Sequence, residues 1–318
     1  MQSLKICFIG VGSIAKRHIR NLRKICVDRK IEIVIEAYRH NSDISPVEEI
    51  GKIYNSITEV PDDYDIIFIT NPTALHLDSL KEFHNKGKNF FIEKPVVSLN
   101  QIDEAKKFKL RDEAVYYVAC PLRYSTVIQY VKENVPIDSI ISVRCISSSY
   151  LPSWRPGQDY RKTYSAQKDL GGGVSIDLIH EWDYLVYLFG QPDRIHSFIG
   201  KKSDLDIDSD DYAIYIAELK DKIIELHLDY FGRNTIREIC LFTKEDTIVG
   251  DIENHYIKFL SSGKVIDLHE ERDDYQRKEL NYFLDMIFGL EKREDNYHLG
   301  IDILGLTQGR VKYDQDKK

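Results

Sequence analysis

The segment that most limits what this chain can fold into is Gly10-Val11-Gly12-Ser13-Ile14-Ala15, which directly follows the apolar run Ile6-Cys7-Phe8-Ile9 and opens a helix-like stretch, Ile14 to Cys26. Glycines between a strand and a helix allow a tight turn and a close backbone approach to a ligand. The same alternation continues through Ile31 to Tyr38, Asp65 to Thr70, Ala74 to Lys86 and Asn89 to Ile92. That is a βαβ rhythm. Runs such as Ile66-Ile67-Phe68-Ile69 are apolar throughout, as strands covered on both faces require. Residues 1–120 are therefore predicted to form a doubly wound parallel sheet of Rossmann type. In such a fold Gly10 makes the turn, Gly12 admits a pyrophosphate to the backbone, and Ala15 takes the third glycine's place at the helix–strand contact. The diphosphate would rest on the helix amino terminus that Ser13 and Ile14 open.

At 318 residues the chain is long enough for about two domains with full cores. After Pro121 the pattern changes. Ser139 to Tyr150, Asp211 to Leu219, Lys222 to Tyr230, Thr235 to Thr243 and Tyr256 to Leu260 read as strands joined by turns, so residues 121–318 are predicted to be an α+β domain on a mostly antiparallel open sheet. Within it Ile224, Leu226, Leu228 and Tyr230 face one way and Glu225, His227 and Asp229 the other. Near the end, Leu280, Phe283, Leu284, Ile287 and Phe288 recur at helical spacing and predict an amphipathic helix that docks on the core, with packing back on the first domain left open. Cys7, Cys26, Cys120, Cys145 and Cys240 are scattered without a Cys-x-x-Cys pair, which suits a reducing, cytoplasmic setting. The apolar run after Met1 is too short for a signal or membrane segment. A net charge of -8 argues against a nucleic-acid duplex as main partner.

Selection between the two nicotinamide cofactors is read at the end of the second strand, Ile35-Glu36-Ala37-Tyr38-Arg39-His40-Asn41-Ser42. The usual acid position holds Tyr38, followed by Arg39, whose guanidinium can stack on adenine or pair with a ribose phosphate. NADP(H) is expected over NAD(H). A shift of two residues would put Glu36 there and reverse the choice.

Two further segments carry chemistry. Glu93-Lys94-Pro95 follows the strand Asn89 to Ile92, which puts Lys94 at the carboxyl edge of the parallel sheet, where ligands of this architecture bind. Gly171-Gly172-Gly173 precedes Val174-Ser175-Ile176-Asp177-Leu178-Ile179-His180, and the spacing of three predicts Asp177 and His180 on one face of a new helix. Oxidising a carbinol requires a base for the hydroxyl proton, which a histidine supplies, and a lysine ammonium favours the alkoxide-like oxygen. Between residues 150 and 171, Trp154, Arg155, Tyr160 and Arg161 form an aromatic and cationic loop suited to an anionic sugar. The run Asp204 to Asp211 imitates a calcium loop but has Ser209 and Tyr215 where glycine and glutamate are needed, so it reads as a solvated turn. The histidines lack metal-ligand spacing, and no catalytic metal is expected.

These motifs in this order, with Asn71-Pro72-Thr73, His76 and Arg123-Tyr124 between them, resemble the glucose-fructose oxidoreductase, inositol dehydrogenase and MocA family over nearly the whole chain. The resemblance implies that Lys94 contacts substrate hydroxyl and cofactor, that His180 accepts or donates the proton, and that Asp177 orients substrate or histidine. It implies further that Asn71, Pro72, His76 and Glu93 flank the cofactor, that Arg123 contributes to the substrate site, and that chains pair as homodimers or homotetramers through the second sheet. One spacing departs from the family pattern: acid and histidine are usually four positions apart, whereas here Glu181 stands at the fourth. The expected activity is NAD(P)-dependent hydride transfer at a secondary hydroxyl or ketone of a sugar, polyol or derivative, with bacterial surface-sugar metabolism suggested by the Trp-Arg-Pro loop. A redox-neutral, nicotinamide-assisted hydrolase or epimerase and a catalytically silent dinucleotide-binding regulator remain as alternatives.

Overall fold

The computed structural model describes residues 2–40 and 45–311; Asn41 and Ser42, at the end of the cofactor-selecting segment, lie outside the described residues. The described residues divide into two compact units, one comprising those up to Ala119 together with Gln276–Ile301, the other Cys120–Tyr275 together with residues 302–311.

In the first unit, Gln2–Ile9 (β1), Ser13–Arg29 (α1), Ile31–Tyr38 (β2), Lys52–Tyr54 (β3), Tyr64–Ile69 (β4), His76–Phe83 (α2), Gly87–Ile92 (β5), Ile102–Ala105 (α3) and Tyr116–Val118 (β6) follow one another. The six strands are all parallel, in the order β3-β2-β1-β4-β5-β6. Helix α1 turns Ala15, Ile19, Leu22, Ile25 and Cys26 inward at helical spacing and ends on Lys30 in the left-handed conformation. Ile66, Ile67, Phe68 and Ile69 are fully buried, as their uniform apolarity requires. One face carries the stack Phe8–Phe68–Phe91, with ring centroids 4.5 and 4.8 Å apart, and Phe283 of the late helix Asp274–Ile287 meets Phe91 edge-on at 5.3 Å. The amphipathic helix therefore covers the parallel sheet. The order reverses between β1 and β4, and that switch point opens the ligand crevice of a doubly wound sheet.

The second unit contains Thr126–Asn134 (α4), Ile140–Tyr150 (β7), Val174–Asp177 (α5), Ile179–Phe189 (α6), Arg194–Gly200 (β8), Tyr212–Glu218 (β9), Ile223–Asp229 (β10), Phe231–Thr243 (β11), Thr247–Asp251 (β12), Tyr256–Phe259 (β13) and Val265–Asp267 (β14). Its eight strands run β14-β13-β12-β11-β7-β10-β9-β8, antiparallel except for the central β7–β10 pair. Val143, Cys145, Ile224, Leu226, Leu228 and Ile239 are buried on one face. Helix α6 lies on this face, with Trp182 edge-on to Tyr215 and the Tyr184 hydroxyl 2.7 Å from Cys145 Sγ. The other face pairs Arg144 with Glu225 and exposes Phe198, Ile216 and Ile223. No helix among the described residues is long and apolar enough to cross a membrane.

Candidate active site

At the switch point, Ile9, Gly10, Val11, Tyr38, Arg39, His40, Asn71, Pro72 and Leu75 line a cleft of about 360 Å³. Gly10 has φ +83°, and a Cβ there would stand 2.9 Å from Asn71 Cα, so both the turn and the close approach demand glycine. The turn is tied to both neighbouring strands: Gly10 N donates to Tyr38 O at 2.9 Å, and Thr70 Oγ1 donates to Gly10 O at 2.9 Å. Gly12, with nothing in the space its Cβ would occupy, caps α1 with no side-chain bond to the helix amides and no acidic residue in the first turn. Exposed Gly12 and Ser13 leave that positive helix end available to an anion. The residues present thus fit a dinucleotide diphosphate. Ala15, fully buried, fills the helix–strand contact. Tyr38 and Arg39 share the cleft, whereas Glu36 does not line it: its Oε2 accepts from Tyr64 Oη at 2.5 Å and Tyr54 Oη at 3.3 Å.

The Glu93-Lys94-Pro95 turn leaves β5 with Lys94 half-buried and the Lys94–Pro95 peptide cis. Glu93 Oε1 is 2.5 Å from His18 Nε2, and its Oε2 accepts from Lys94 N at 3.2 Å. Burial works to raise the Glu93 carboxyl's pKa, but the His18 hydrogen bond and the neighbouring Lys94 and His76 outweigh it, and the group is held below the ordinary carboxylate value. His76 is 2% exposed, with Nδ1 3.0 Å from Pro95 O and Nε2 2.9 Å from Asn71 O. Burial lowers its proton affinity. Both Glu93 and His76 engage protein atoms, and His76 stands against Asn71, which lines the cleft.

In the second unit, the expected single helix face for Asp177 and His180 is interrupted. Val174–Asp177 ends at Leu178, whose φ -95° and ψ 28° leave the helix, and a new helix starts at Ile179. The cause lies upstream. Gly173 has φ +132°, any Cβ there would collide with the Asp210 carboxylate, and Val174 N donates to Asp210 O, so the first turn is set by the Asp210 segment. Asp177, 5% exposed, accepts from Tyr230 Oη at 2.5 Å, and the Tyr164 hydroxyl lies near enough to feel the same carboxylate's charge. Burial, followed by the Asp177 charge, raises the pKa of both tyrosines. His180 is half-buried at the start of α6. Glu181, at the fourth position, is fully buried and ion-paired to Arg237 Nε at 3.0 Å, so it faces the sheet and does not stand in for the histidine.

The structure divides the loop residues. Trp154 packs edge-on to Tyr230 at 5.2 Å and Arg155 lies over the Tyr164 ring at 5.5 Å, both beside the Asp177 cluster. Tyr160 instead accepts from Asp206 N at 3.1 Å and lines a separate cleft of about 390 Å³ with Tyr150, Phe231 and Arg233. Arg161 is exposed and forked onto Asp159 at 2.8 and 2.9 Å. Arg123 is buried and forked onto Asp183 at 2.7 and 2.8 Å, an ion pair that joins the turn before α4 to α6. The acidic run is only partly solvated. Asp211 is fully buried and accepts from Lys202 N and Ser203 N at 2.8 Å, Asp210 accepts from Ser175 N, and Asp208 from Lys168 N. Its sequence reading as a solvated turn is corrected, because the carboxylates cap backbone amides of other segments. Tyr230, absent from the sequence-based site, joins it through a hydroxyl contact across 53 residues that strand patterning does not reveal, and Tyr164, also absent, stands close enough to feel the Asp177 charge.

A glycine turn and an uncapped helix end at the switch of an all-parallel sheet, followed by an open, mostly antiparallel sheet, define a dinucleotide-binding protein with a second α+β domain. Comparison with known proteins agrees. The model of an oxidoreductase family's NAD-binding Rossmann fold matches residues 4–119, and that of the GFO/IDH/MocA C-terminal domain matches residues 129–235. The chain belongs to the GFO/IDH/MocA family of oxidoreductases. It is 30% identical over 188 residues to the uncharacterized oxidoreductase YrbE of Bacillus subtilis, a match covering 57% of this chain and 52% of the relative, so about half the relative's length. Among solved structures it is similar to levoglucosan dehydrogenase in its apo form, with TM-score 0.82, 16% identity and coverage of 97% and 96% of the two chains. It is also similar to UDP-N-acetylglucosamine 3-dehydrogenase GnnA from Acidithiobacillus ferrooxidans, with TM-score 0.76, 18% identity and the same coverage. At these identities the likeness is one of fold.

Proposed function

We propose that this protein is an NAD(P)-dependent dehydrogenase or reductase that acts on a secondary hydroxyl or ketone of a sugar, polyol or sugar derivative. The observation that carries this reading is the diphosphate-ready cleft at the β1–β4 switch, with a lysine anchored at the end of the neighbouring β5. A bound nicotinamide would exchange hydride with the carbinol carbon. Lys94 polarises the substrate oxygen and favours its alkoxide-like form. His180 takes the hydroxyl proton in oxidation and returns it in reduction. Asp177, held by Tyr230, orients the substrate, and Trp154 and Arg155 border it on the loop side. Both fold neighbours named above are dehydrogenases of sugar-like compounds, which supports the substrate class, while the Trp-Arg-Pro loop supports an anionic sugar of bacterial surface-sugar metabolism.

NADP(H) is the proposed cofactor. Support comes from Tyr38 and Arg39 lining the cleft while the Glu36 carboxylate is occupied by tyrosine hydroxyls. That none of the five cysteines forms a disulfide supports a cytoplasmic setting. The half-apolar outer face of the second sheet, with Phe198, Ile216 and Ile223 exposed, supports pairing of two or four copies through it. The test is a fluorescence titration of nucleotide-stripped protein with NADPH and NADH, then turnover on a panel of sugars and keto-sugars with wild type and His180→Ala. Nucleotide binding with turnover abolished in the variant is expected. Undiminished turnover in His180→Ala overturns its role, and binding of neither nucleotide overturns the reading as a whole.

A further inference from the structure

Two buried histidines grip the Glu93-Lys94-Pro95 turn from opposite sides. His18, on α1, is 1% exposed and edge-on to Phe91 at 5.0 Å. Its Nε2 meets Glu93 Oε1, and since a carboxylate only accepts, Nε2 must carry the proton. Its Nδ1 has no hydrogen-bond partner among the described residues, so the ring's polar contact is directed wholly at Glu93. The other oxygen of that carboxylate accepts the backbone amide of Lys94. Glu93 N is itself bound to Ile69 O at 2.9 Å, which fixes the start of the turn on the neighbouring strand. Beyond Lys94, Pro95 O lies 3.0 Å from His76 Nδ1, and the opposite edge of that ring reaches Asn71 O in the cofactor cleft. Lys94 therefore has a fastened neighbour on each side, and its own amide is fastened as well.

We propose that His18 and His76 are positioning residues for Lys94: His18 orients the Glu93 carboxylate that holds the Lys94 amide, and the buried His76 ring is wedged between the Pro95 carbonyl and the cleft wall at Asn71, donating its one N–H to one of these two carbonyls and packing against the other. The inference rests on the proposed role of Lys94, since a long flexible ammonium is useful in hydride transfer only if its backbone anchor is rigid. Misplacement by about 1 Å suffices to cost two orders of magnitude in rate.

The test reads Lys94 directly and needs no substrate. Trace acetylation with acetic anhydride, followed by peptide mass spectrometry, gives the reactivity of Lys94 relative to the exposed Lys106 and Lys107 of the same chain. In His18→Leu and His76→Leu, Lys94 reactivity is expected to rise several-fold as the turn loosens. In His18→Gln, whose amide can donate to Glu93, it is expected to return toward wild type. If a leucine variant does not fold, Glu93→Gln removes the carboxylate without leaving a cavity and is read the same way. Unchanged Lys94 reactivity in the folded variants overturns the inference, as does failure of His18→Gln to restore it. Loss of the dehydrogenase reading would show separately, as wild-type protein that binds neither NADH nor NADPH while the labelling pattern still changes.

Discussion

The Tyr230 hydroxyl donates to Asp177 Oδ2 at 2.5 Å in a place where Tyr230 is fully buried and Asp177 is 5% exposed. Tyr230 follows β10 immediately and Asp177 closes α5, so this bond ties the interrupted helix segment to the sheet beneath it. The charge of the same carboxylate acts on Tyr164, whose ring lies under Arg155. The acid of the predicted site thus sits in a frame of two tyrosines, one of which donates to it.

Removing one member of that frame tests its function. Tyr230→Phe keeps the ring and its packing against Trp154 but leaves a buried carboxylate short of one donor, which is expected to cost about 2 kcal/mol. Denaturant unfolding measures this. Turnover on a responsive sugar is expected to fall about tenfold, with NADPH affinity unchanged, as the proposed substrate role of the frame requires. An equal loss of nucleotide affinity would mean that Tyr230 serves general stability alone.

The two glycines of the cofactor turn are expected to respond differently. In Gly10→Ala, a left-handed φ and a methyl 2.9 Å from Asn71 Cα predict a loss of about 1–3 kcal/mol in stability together with weakened nucleotide binding. Gly12→Ala meets no protein atom and has φ -81°, so stability should hold while NADPH affinity falls, since the methyl takes space the diphosphate needs. Thermal melts with and without nucleotide separate the two. Retained affinity in Gly12→Ala would place the diphosphate elsewhere.

Much of the first unit is legible in its residues because burial on both faces writes itself as uninterrupted apolar strands, and the turn at Gly10 needs a residue without a side chain. The three-residue strands Lys52–Tyr54 and Tyr116–Val118 are not legible, being too short to show a period. Edge strands β8 and β14 mix exposed and half-buried positions and carry little pattern either. In the second unit the glycine triplet marks a constrained helix start, but the break at Leu178 depends on Asp210, a partner 37 positions away from Gly173 that spacing alone does not disclose. Arg123 enters the sequence reading as a substrate-site residue without its Asp183 partner, and the aspartates from 208 to 211 read as solvated because charge can be counted in a sequence whereas hydrogen-bond partners cannot.

Cofactor selectivity should follow Arg39. Arg39→Ala is expected to weaken NADPH by about tenfold, roughly the loss of one charged contact to a phosphate, and to leave NADH nearly unchanged. Glu36→Gln should alter neither, because its carboxylate is bound by Tyr64 and Tyr54 outside the cleft lining. Parallel fluorescence titrations decide the matter. Equal losses for both nucleotides in Arg39→Ala would reduce it to an adenine-stacking or structural cation, and a response of NADH to Glu36→Gln would restore the acidic residue to the ribose position.

The Glu93 carboxyl also gives the fold an acid-sensitive anchor. Its pKa in the folded protein lies below the ordinary value, despite opposing burial, because His18, Lys94 and His76 favour the charged form. A carboxyl with a depressed folded-state pKa binds fewer protons folded than unfolded, so stability rises with pH across that interval. The contribution is complete above the unfolded glutamate pKa of about 4.3 and is lost as pH falls through the lower folded value. Glu93→Gln cannot titrate, so its unfolding free energy should be lower than wild type at pH 7 and should approach the wild-type value as the pH drops below about 4. Denaturant unfolding of both proteins at a series of pH values checks this. A constant difference between them across the acid range would show that the Glu93–His18 contact contributes through packing alone and not through the charge on the carboxylate.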